Sequence, residues 1–110
     1  MNERGARAEQ RVQAHLETQG YRILATNVRL AGGELDIVAR RGRQLLFCEV
    51  RMRSRSDYGD ALETVDFFKS RRIRKAAQMW IARHPAARQL DVSLEVAAVR
   101  PDGIERVAFE

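Results

Sequence analysis

Two acidic residues, Asp36 and Glu49, have the setting in this sequence that most clearly suggests chemistry. They lie in two runs, residues 34–39 and residues 45–52, in which side chains of alternate positions face opposite ways. A period of two is typical of a half-buried strand. Neighbouring strands that each carry a carboxylate can bring both to one point, and carboxylate oxygens are the ligands of hard divalent cations.

The residues between the two runs predict their register. Gly42 can adopt the positive φ that the first central position of a type II′ turn requires, so a two-residue turn is expected there. In that hairpin the numbers of paired residues sum to 85. Asp36 then faces Glu49 and Glu34 faces Arg51, with all four side chains on one face of the sheet.

Directly opposed carboxylates destabilise a sheet, because at ~5 Å and an effective dielectric of about 20 they repel by about 3 kcal/mol. A compensating cation is therefore expected. With Glu34 included, three acids surround Arg51 and leave a surplus of two negative charges, which suits Mg²⁺ or Mn²⁺. Alternatively, Arg51 bridges the acids in a solvated surface cluster, and the residues fit both interpretations equally well.

The composition favours an anionic partner. The chain has 110 residues, a net charge of +5 and a pI near 10.3, and it contains 18 Arg against 2 Lys. Because the planar guanidinium matches phosphate oxygens, nucleic acid is the leading expectation and a membrane surface a weaker one. The length predicts a single domain over residues 1–110.

Several other classes of protein are disfavoured. The sequence has no apolar run of 18 residues, and its N-terminus lacks the apolar core of a signal peptide, so a soluble cytoplasmic protein is expected. The only cysteine, Cys48, cannot form an internal disulfide, and the alternation predicts that it is a small buried side chain. His15 and His84 are far apart in sequence, which argues against a zinc site.

The first helix is predicted over residues 4–19, where apolar residues recur at four-residue spacing before Gly20. Glu9 lies about 60° from the centre of this apolar stripe. It could reach over the sheet toward Asp36, or it could be a first-turn glutamate that the helix dipole favours. The spacing alone favours the second interpretation.

Basic side chains are expected beside the acidic pair. A second long helix is predicted over residues 62–83, and Lys69 falls on its apolar stripe, where it either snorkels outward or binds phosphate above the acidic sheet. The segment before this helix contains Arg53, Arg55 and Tyr58. These could hold a phosphate backbone and stack on a base, although the segment also fits an ordinary solvated loop.

Further strands complete the predicted architecture. Residues 21–30 read as a strand with Tyr21 and Ile23 facing inward, and alternation from Leu90 to Val96 predicts another. A turn at 101–103 leads into a short last strand. The order αβββαββ predicts an α/β domain whose mixed sheet has one helix available for each face.

This arrangement resembles the PD-(D/E)xK nucleases, with an acid on helix one, an Asp on a strand, a Glu-x-basic motif on the next strand, and a following helix. The separation of Asp36 and Glu49 is similar to that in archaeal-type Holliday junction resolvases. More closely, nearly the whole chain resembles the YraN family of uncharacterised bacterial proteins. The motifs that carry this resemblance are Gly33-Glu34-Leu35-Asp36, Phe47-x-Glu49-Val50-Arg51-x-Arg53, Tyr58-Gly59, Lys69, Asp91-Val92 and Ala108-Phe109.

The resemblance implies a restriction-endonuclease-like core and a metal-dependent endonuclease that acts on DNA, with branched DNA as the suspected substrate. Asp36, Glu49 and Glu9 would bind Mg²⁺ or Mn²⁺, with the Val50 carbonyl as a further ligand. Arg51 stands where the nuclease motif has lysine. It can stabilise charge on phosphorus, but it cannot lose a proton at useful pH and so cannot act as a base.

A function of another class also fits these residues. A nucleic-acid-binding module on the same fold, without catalysis, is compatible with an arginine at position 51. The sequence distinguishes neither these two functions nor a monomer from a homodimer.

Overall fold

The structure is a computed structural model that describes residues 3–53 and 67–109. It confirms the predicted order of helices and strands, αβββαββ, and with it the α/β class. The elements are α1 (Glu3–Thr18), β1 (Arg22–Leu30), β2 (Gly33–Arg41), β3 (Gln44–Met52), α2 (Phe67–Ala82), a 3₁₀ helix (Pro85–Gln89), β4 (Asp91–Arg100) and β5 (Gly103–Ala108).

The five strands form one mixed sheet in the order β1-β2-β3-β4-β5. β3 and β4 are parallel and the other neighbouring pairs are antiparallel. Parallel neighbours need a long crossover connection, and α2 lies within the one that joins β3 to β4. The chain therefore folds as a three-stranded meander, a crossover that contains α2, and a final hairpin.

The β2–β3 hairpin has the predicted register. Arg41 pairs with Gln44 and Ile37 with Cys48, so the numbers of paired residues sum to 85. Gly42 has a φ of 59°, whereas the φ of Arg43 is not positive. A type II′ turn requires this combination.

Each helix covers one face of the sheet. The apolar stripe of α1, with Leu16 fully buried, packs on Ile37 and Cys48, which confirms the expected burial of the cysteine. The stripe of α2 packs on the opposite face, where Trp80 meets Phe47 edge-on with ring centroids 5.8 Å apart. Burying such a side chain contributes about 1.5–3 kcal/mol, so these two layers hold both helices against the strands that carry Asp36 and Glu49.

Two local features differ from the predicted pattern. Val92 is 48% exposed rather than inward-facing, whereas the four residues from Val96 to Val99 are all buried, because β4 becomes an interior strand with both faces covered. The 3₁₀ helix after α2 was not predicted, and the ring of His84 stacks on Trp80 at its start, with centroids 3.8 Å apart. The predicted start of α2, residues 62–66, lies outside the described residues.

Candidate functional site

Asp36 and Glu49 come together where the β2–β3 pairing ends. The last paired residues are Ile37 and Cys48, and beyond them the Asp36 carboxylate accepts a hydrogen bond from the Val50 backbone N–H at 2.8 Å. A side chain thus takes the role of a backbone carbonyl. The two carboxyl groups also share a side-chain hydrogen bond.

The register does not extend to Glu34 and Arg51, and this part of the prediction is wrong. Arg51 lies instead against Glu49, with Nη1 2.7 Å from Oε1. Glu34 is exposed and pairs through its backbone with Arg29 on β1. Beyond Ile37 the Asp36 carboxylate accepts the hydrogen bond of the Val50 N–H, and the described residues past that point have no partner across the β2–β3 hairpin.

Lys69 points at the acidic pair, as one of the two interpretations of its position predicted. Its Nζ is 3.3 Å from Oε1 of Glu49, the same oxygen that Arg51 contacts. Gly33 helps to set this distance, because a Cβ there would lie 2.9 Å from the Arg72 carbonyl oxygen of α2. The absence of a side chain lets the helix approach β2 within one turn of Lys69.

Burial makes the two carboxyl groups reluctant to ionise together. It raises the pKa of Asp36 from 3.8 to about 7, with the negative charge of Glu49 acting in the same direction and the Val50 hydrogen bond opposing it. Burial also raises the pKa of Glu49, against the lowering effect of Arg51. As a pair, the two carboxyl groups therefore retain a proton to higher pH than isolated carboxyl groups do.

Glu9 faces the sheet, and the first-turn interpretation is wrong because α1 begins at Glu3. Its side chain is 6% exposed. Burial raises its pKa, a hydrogen bond to the Asn27 side chain lowers it, and the charges of Glu34 and Glu49 raise it. Three acids thus act on one another across α1, β2 and β3.

Asn27 is a site residue that the sequence reasoning missed. It has a φ of 53° on β1, although asparagine is depleted in strands. Asparagine tolerates this left-handed conformation better than most residues, and here its side chain meets Glu9. An asparagine within a strand-like run was the signal that could have identified it.

Two adjoining clefts border these acids. The larger, of about 600 Å³, lies toward α2, with Glu49, Lys69 and Arg72 in its lining. The smaller, of about 370 Å³, lies toward α1 and includes Glu9. Four residues line both clefts: Arg29, Glu34, Asp36 and Arg51. The acidic pair therefore lies at the junction of two surface clefts rather than in the sealed core.

Two buried polar atoms of the smaller cleft lack a hydrogen-bond partner within the described part of the chain. They are Oε1 of Glu9, an acceptor when ionised, and Nη2 of Arg51, a donor. Buried polar groups in native proteins almost always have partners, from the protein or from solvent. An unpaired acceptor and an unpaired donor beside one cleft are typical of a site that a bound molecule completes.

The donor set fits a magnesium-type ion in part. Mg²⁺ is commonly held by one or two carboxylates together with water and substrate oxygens, which Asp36 and Glu49 could supply. Among residues 3–53 and 67–109, no group of three or more His, Cys, Asp or Glu side chains has an arrangement able to hold a metal. Glu9 therefore does not join Asp36 and Glu49 as a direct third ligand in this conformation.

The remaining predicted nucleic-acid contacts fall in two places. Arg53 borders a separate cleft of about 280 Å³ with Arg7, Arg11 and Arg100, next to the cleft of Glu9 rather than in it. Arg55 and Tyr58 lie outside the described residues. Within the described helices, none is long and apolar enough to cross a membrane.

The fold and site define an α/β protein with a five-stranded mixed sheet, compatible with a nuclease-like core, and an acidic pair of half-buried Asp36 and buried Glu49 where the β2–β3 pairing ends. The chain belongs to the family described as Uncharacterised protein family UPF0102, whose model matches residues 8–99. This confirms the resemblance to YraN-like proteins that the motifs indicated.

Relatives in several bacteria support the same assignment. The chain is 44% identical over 90 residues to the UPF0102 protein of Halorhodospira halophila, covering 82% of this chain and 74% of that one. It is 43% identical over 94 residues to the UPF0102 protein xcc-b100_3645 of Xanthomonas campestris, with coverage of 86% and 77%. Identity to the UPF0102 protein of Azorhizobium caulinodans is 41% over 100 residues, with coverage of 91% and 75%.

Proposed function

We propose that this protein is a metal-dependent endonuclease that acts on DNA, with Mg²⁺ or Mn²⁺ held by Asp36 and Glu49. The observation that carries the proposal is the acidic pair itself. Two carboxyl groups share a hydrogen bond beside a surface cleft, and the pKa of Asp36 rises to about 7. Carboxyl groups with raised pKa values cluster at functional sites, and a divalent cation bound by the pair would relieve both negative charges.

Each neighbouring side chain has a role in phosphodiester cleavage. A divalent ion held by Asp36 and Glu49 would supply polarisation of a phosphoryl oxygen and a more acidic water. Arg51 and Lys69, both within 3.3 Å of Glu49 Oε1, hold that carboxylate in place and present positive charge to the phosphate in the larger cleft. Glu9, buried beside the same junction, would be an outer partner of the metal through water on the α1 side.

A second candidate is a DNA-binding module on the same fold that does not cut. The contacts of Glu49 favour it, because Arg51 and Lys69 already neutralise one of its oxygens. In that case the acids and bases form a self-contained salt-bridge cluster. The exposed arginines would still bind phosphate, without any requirement for metal.

Metal-dependent melting and cleavage distinguish the two candidates. Wild type, Asp36→Asn and Glu49→Gln are melted with and without millimolar MnCl₂, and each is then incubated with branched and with linear DNA. Asp91→Asn is the matched control, since it removes one exposed carboxylate whose nearest basic atom is 3.9 Å away. If the protein is a nuclease, Mn²⁺ should raise the melting temperature of wild type and of the control by mass action, but not that of the two site variants. Wild type and the control should also be the only proteins that cut DNA.

Absence of metal stabilisation and of cleavage in wild type, combined with retained DNA binding, would establish the binding module instead.

A DNA substrate also places the protein's action in the cytoplasm. A homodimer would offer two acidic sites to one branched molecule, and light scattering with and without DNA tests that assembly.

A further inference from the structure

Basic side chains on α2 form a cleft next to the acidic site. Its volume is about 740 Å³, and the described residues that line it are Arg71, Arg72, Arg74, Lys75 and Gln78. None of these five residues is acidic. We call these residues the α2 arm.

A second basic cleft lies on the α1 side. Arg7, Arg11, Arg53 and Arg100 surround it. Arg11 donates to the Arg100 carbonyl at 3.0 Å and Arg53 to the Met52 carbonyl at 2.7 Å. Because a guanidinium has five N–H donors, one such bond orients the group and leaves others available for phosphate. We call these four arginines the α1 arm.

The two arms and the acidic clefts form one continuous line. Arg72 lines both the α2 arm and the larger acidic cleft. Asp36 lines both acidic clefts, while Ala8 and Met52 line both the smaller acidic cleft and the α1 arm. The order along this line is basic, acidic, basic.

We propose that the backbone of a DNA strand follows this line, with phosphates on the α2 arm, the bond to be cut beside Asp36 and Glu49, and further phosphates on the α1 arm. The inference rests on the proposed function for its acidic centre and goes beyond it in naming the residues that hold the strand on each side of the bond. A substrate with nucleotides on both sides of that bond reaches both arms. A free strand end could occupy only one arm.

The charge distribution gives the two parts different tasks. In the metal-free centre the carboxylates of Asp36 and Glu49 offset the positive charges of Arg51 and Lys69, so most of the affinity comes from the arms, through release of counterions. Each phosphate contact contributes a slope of about −0.9 to the dependence of log K on log salt for duplex DNA, and about −0.7 for single strands. Removing three cations from one arm therefore flattens the slope by about 2–3.

The test is fluorescence anisotropy with a labelled 30-base-pair duplex in EDTA, which permits binding without cleavage, over a series of NaCl concentrations. One variant carries Arg7→Gln, Arg11→Gln and Arg53→Gln. The other carries Arg71→Gln, Arg74→Gln and Lys75→Gln. A control with Arg22→Gln, Arg83→Gln and Arg88→Gln has the same change in net charge at exposed positions outside all four clefts.

Each arm variant is expected to bind at least about tenfold more weakly than wild type at 50 mM NaCl with the flattened slope, and the control to change by less than about threefold. Arm variants that match the control would overturn the path and leave the nuclease proposal standing. A loss confined to one arm would overturn the two-sided substrate. No binding by wild type at low salt would instead remove the DNA partner itself.

A folding defect is recognised separately. Circular dichroism melting accompanies each variant. Replacement of the five arginines at these positions by Lys (Arg7→Lys, Arg11→Lys, Arg53→Lys, Arg71→Lys and Arg74→Lys), with Lys75 kept, preserves the charge. If the lysine variants bind DNA as wild type does, the result supports the path. If they bind as weakly as the glutamine variants although their charge is restored, the electrostatic path is overturned.

Discussion

Two clusters of charged residues on the same sheet have opposite characters. On β4 and β5, Arg106 Nε lies 2.7 Å from Glu95 Oε1, and its Nη2 lies 3.5 Å from the Tyr21 hydroxyl. The hydrogen bond that Arg106 donates to Glu95 raises the pKa of Arg106. Arg41 covers the ring of Tyr21, with Cζ 4.5 Å from its centroid. One carboxylate thus meets one guanidinium.

The cluster around Asp36 has more acid than it can neutralise. Both nearby cations contact the same oxygen of Glu49, the pKa of Asp36 is raised to about 7, and one oxygen of Glu9 lacks a partner among the described residues. The first cluster shows that this chain can pair half-buried charges well. The contrast teaches that imperfect pairing is local, and such places are where function is expected.

Cleavage gives the largest expected contrast between the clusters. Asp36→Asn should lower DNA cleavage by at least about 100-fold, because even partners of metal ligands typically matter by 10–100-fold. Glu95→Gln removes a carboxylate from the paired cluster and should leave the rate per folded molecule unchanged. Initial rates with Mn²⁺, corrected for the folded fraction, check both. Equal losses in the two variants would contradict the division into a site and a scaffold.

Stability should respond in the reverse order. Glu95→Gln breaks a largely buried ion pair and should cost about 1–3 kcal/mol. Asp36→Asn at pH 8 and without metal should raise the free energy of unfolding, because its amide oxygen still accepts from Val50 and the repulsion by Glu49 is gone. Glu49→Gln should lower it, since Arg51 and Lys69 lose their shared carboxylate. Urea unfolding of the three variants measures these differences.

The pH dependence sharpens the same point. Because the folded-state pKa of Asp36 lies above 3.8, the folded state binds more protons than the unfolded state between about pH 4 and pH 7. The Asp36 contribution is full at low pH and is lost as pH rises through about 7, by about 1–3 kcal/mol. Subtracting the urea-derived stability of Asp36→Asn from that of wild type at each pH isolates it. A difference that does not change with pH would mean that Asp36 ionises normally.

Lys69→Met should have the smallest effect on stability. Lys69 meets Glu49 at 3.3 Å and is about one-third exposed, so its loss should cost less than about 1 kcal/mol while Arg51 still pairs the acid. DNA binding and cleavage should weaken more clearly, because a phosphate-facing charge disappears. Arg83→Met is the matched control on an exposed position after α2. A stability loss with unchanged DNA binding would show that Lys69 serves only the fold.

The sequence pattern predicted the features that depend on residues close together in the chain. Alternation and Gly42 gave the hairpin register, and apolar spacing gave the buried faces of both helices. The failures share a cause in three-dimensional packing. Glu9 faces the sheet because of where α1 lies, and Val92 is exposed because β4 is covered only farther along. Neither position can be read from a repeat period.

Two further features also depend on three-dimensional packing. Asn27 has a left-handed backbone conformation, and Arg51 pairs with Glu49 rather than with Glu34. Each depends on which side chain fills a gap between elements distant in sequence. The candidate site was therefore predictable as a pair of acids on a hairpin, but its partners from β1 and its shared lysine contact required the fold.

Cys48 gives the acidic strand a kinetic reporter. It is the only thiol in the chain, it directly precedes Glu49, and it is 2% exposed beneath α1. Burial raises the pKa of this thiol, so the native protein should be inert to a thiol-specific reagent. Modification must then await transient opening of β3, and its rate measures how often the strand that carries Glu49 separates from α1. A ligand of the acidic pair would lengthen the lifetime of the unmodified thiol. The modification rate of one buried sulfur therefore reports the occupancy of the neighbouring site.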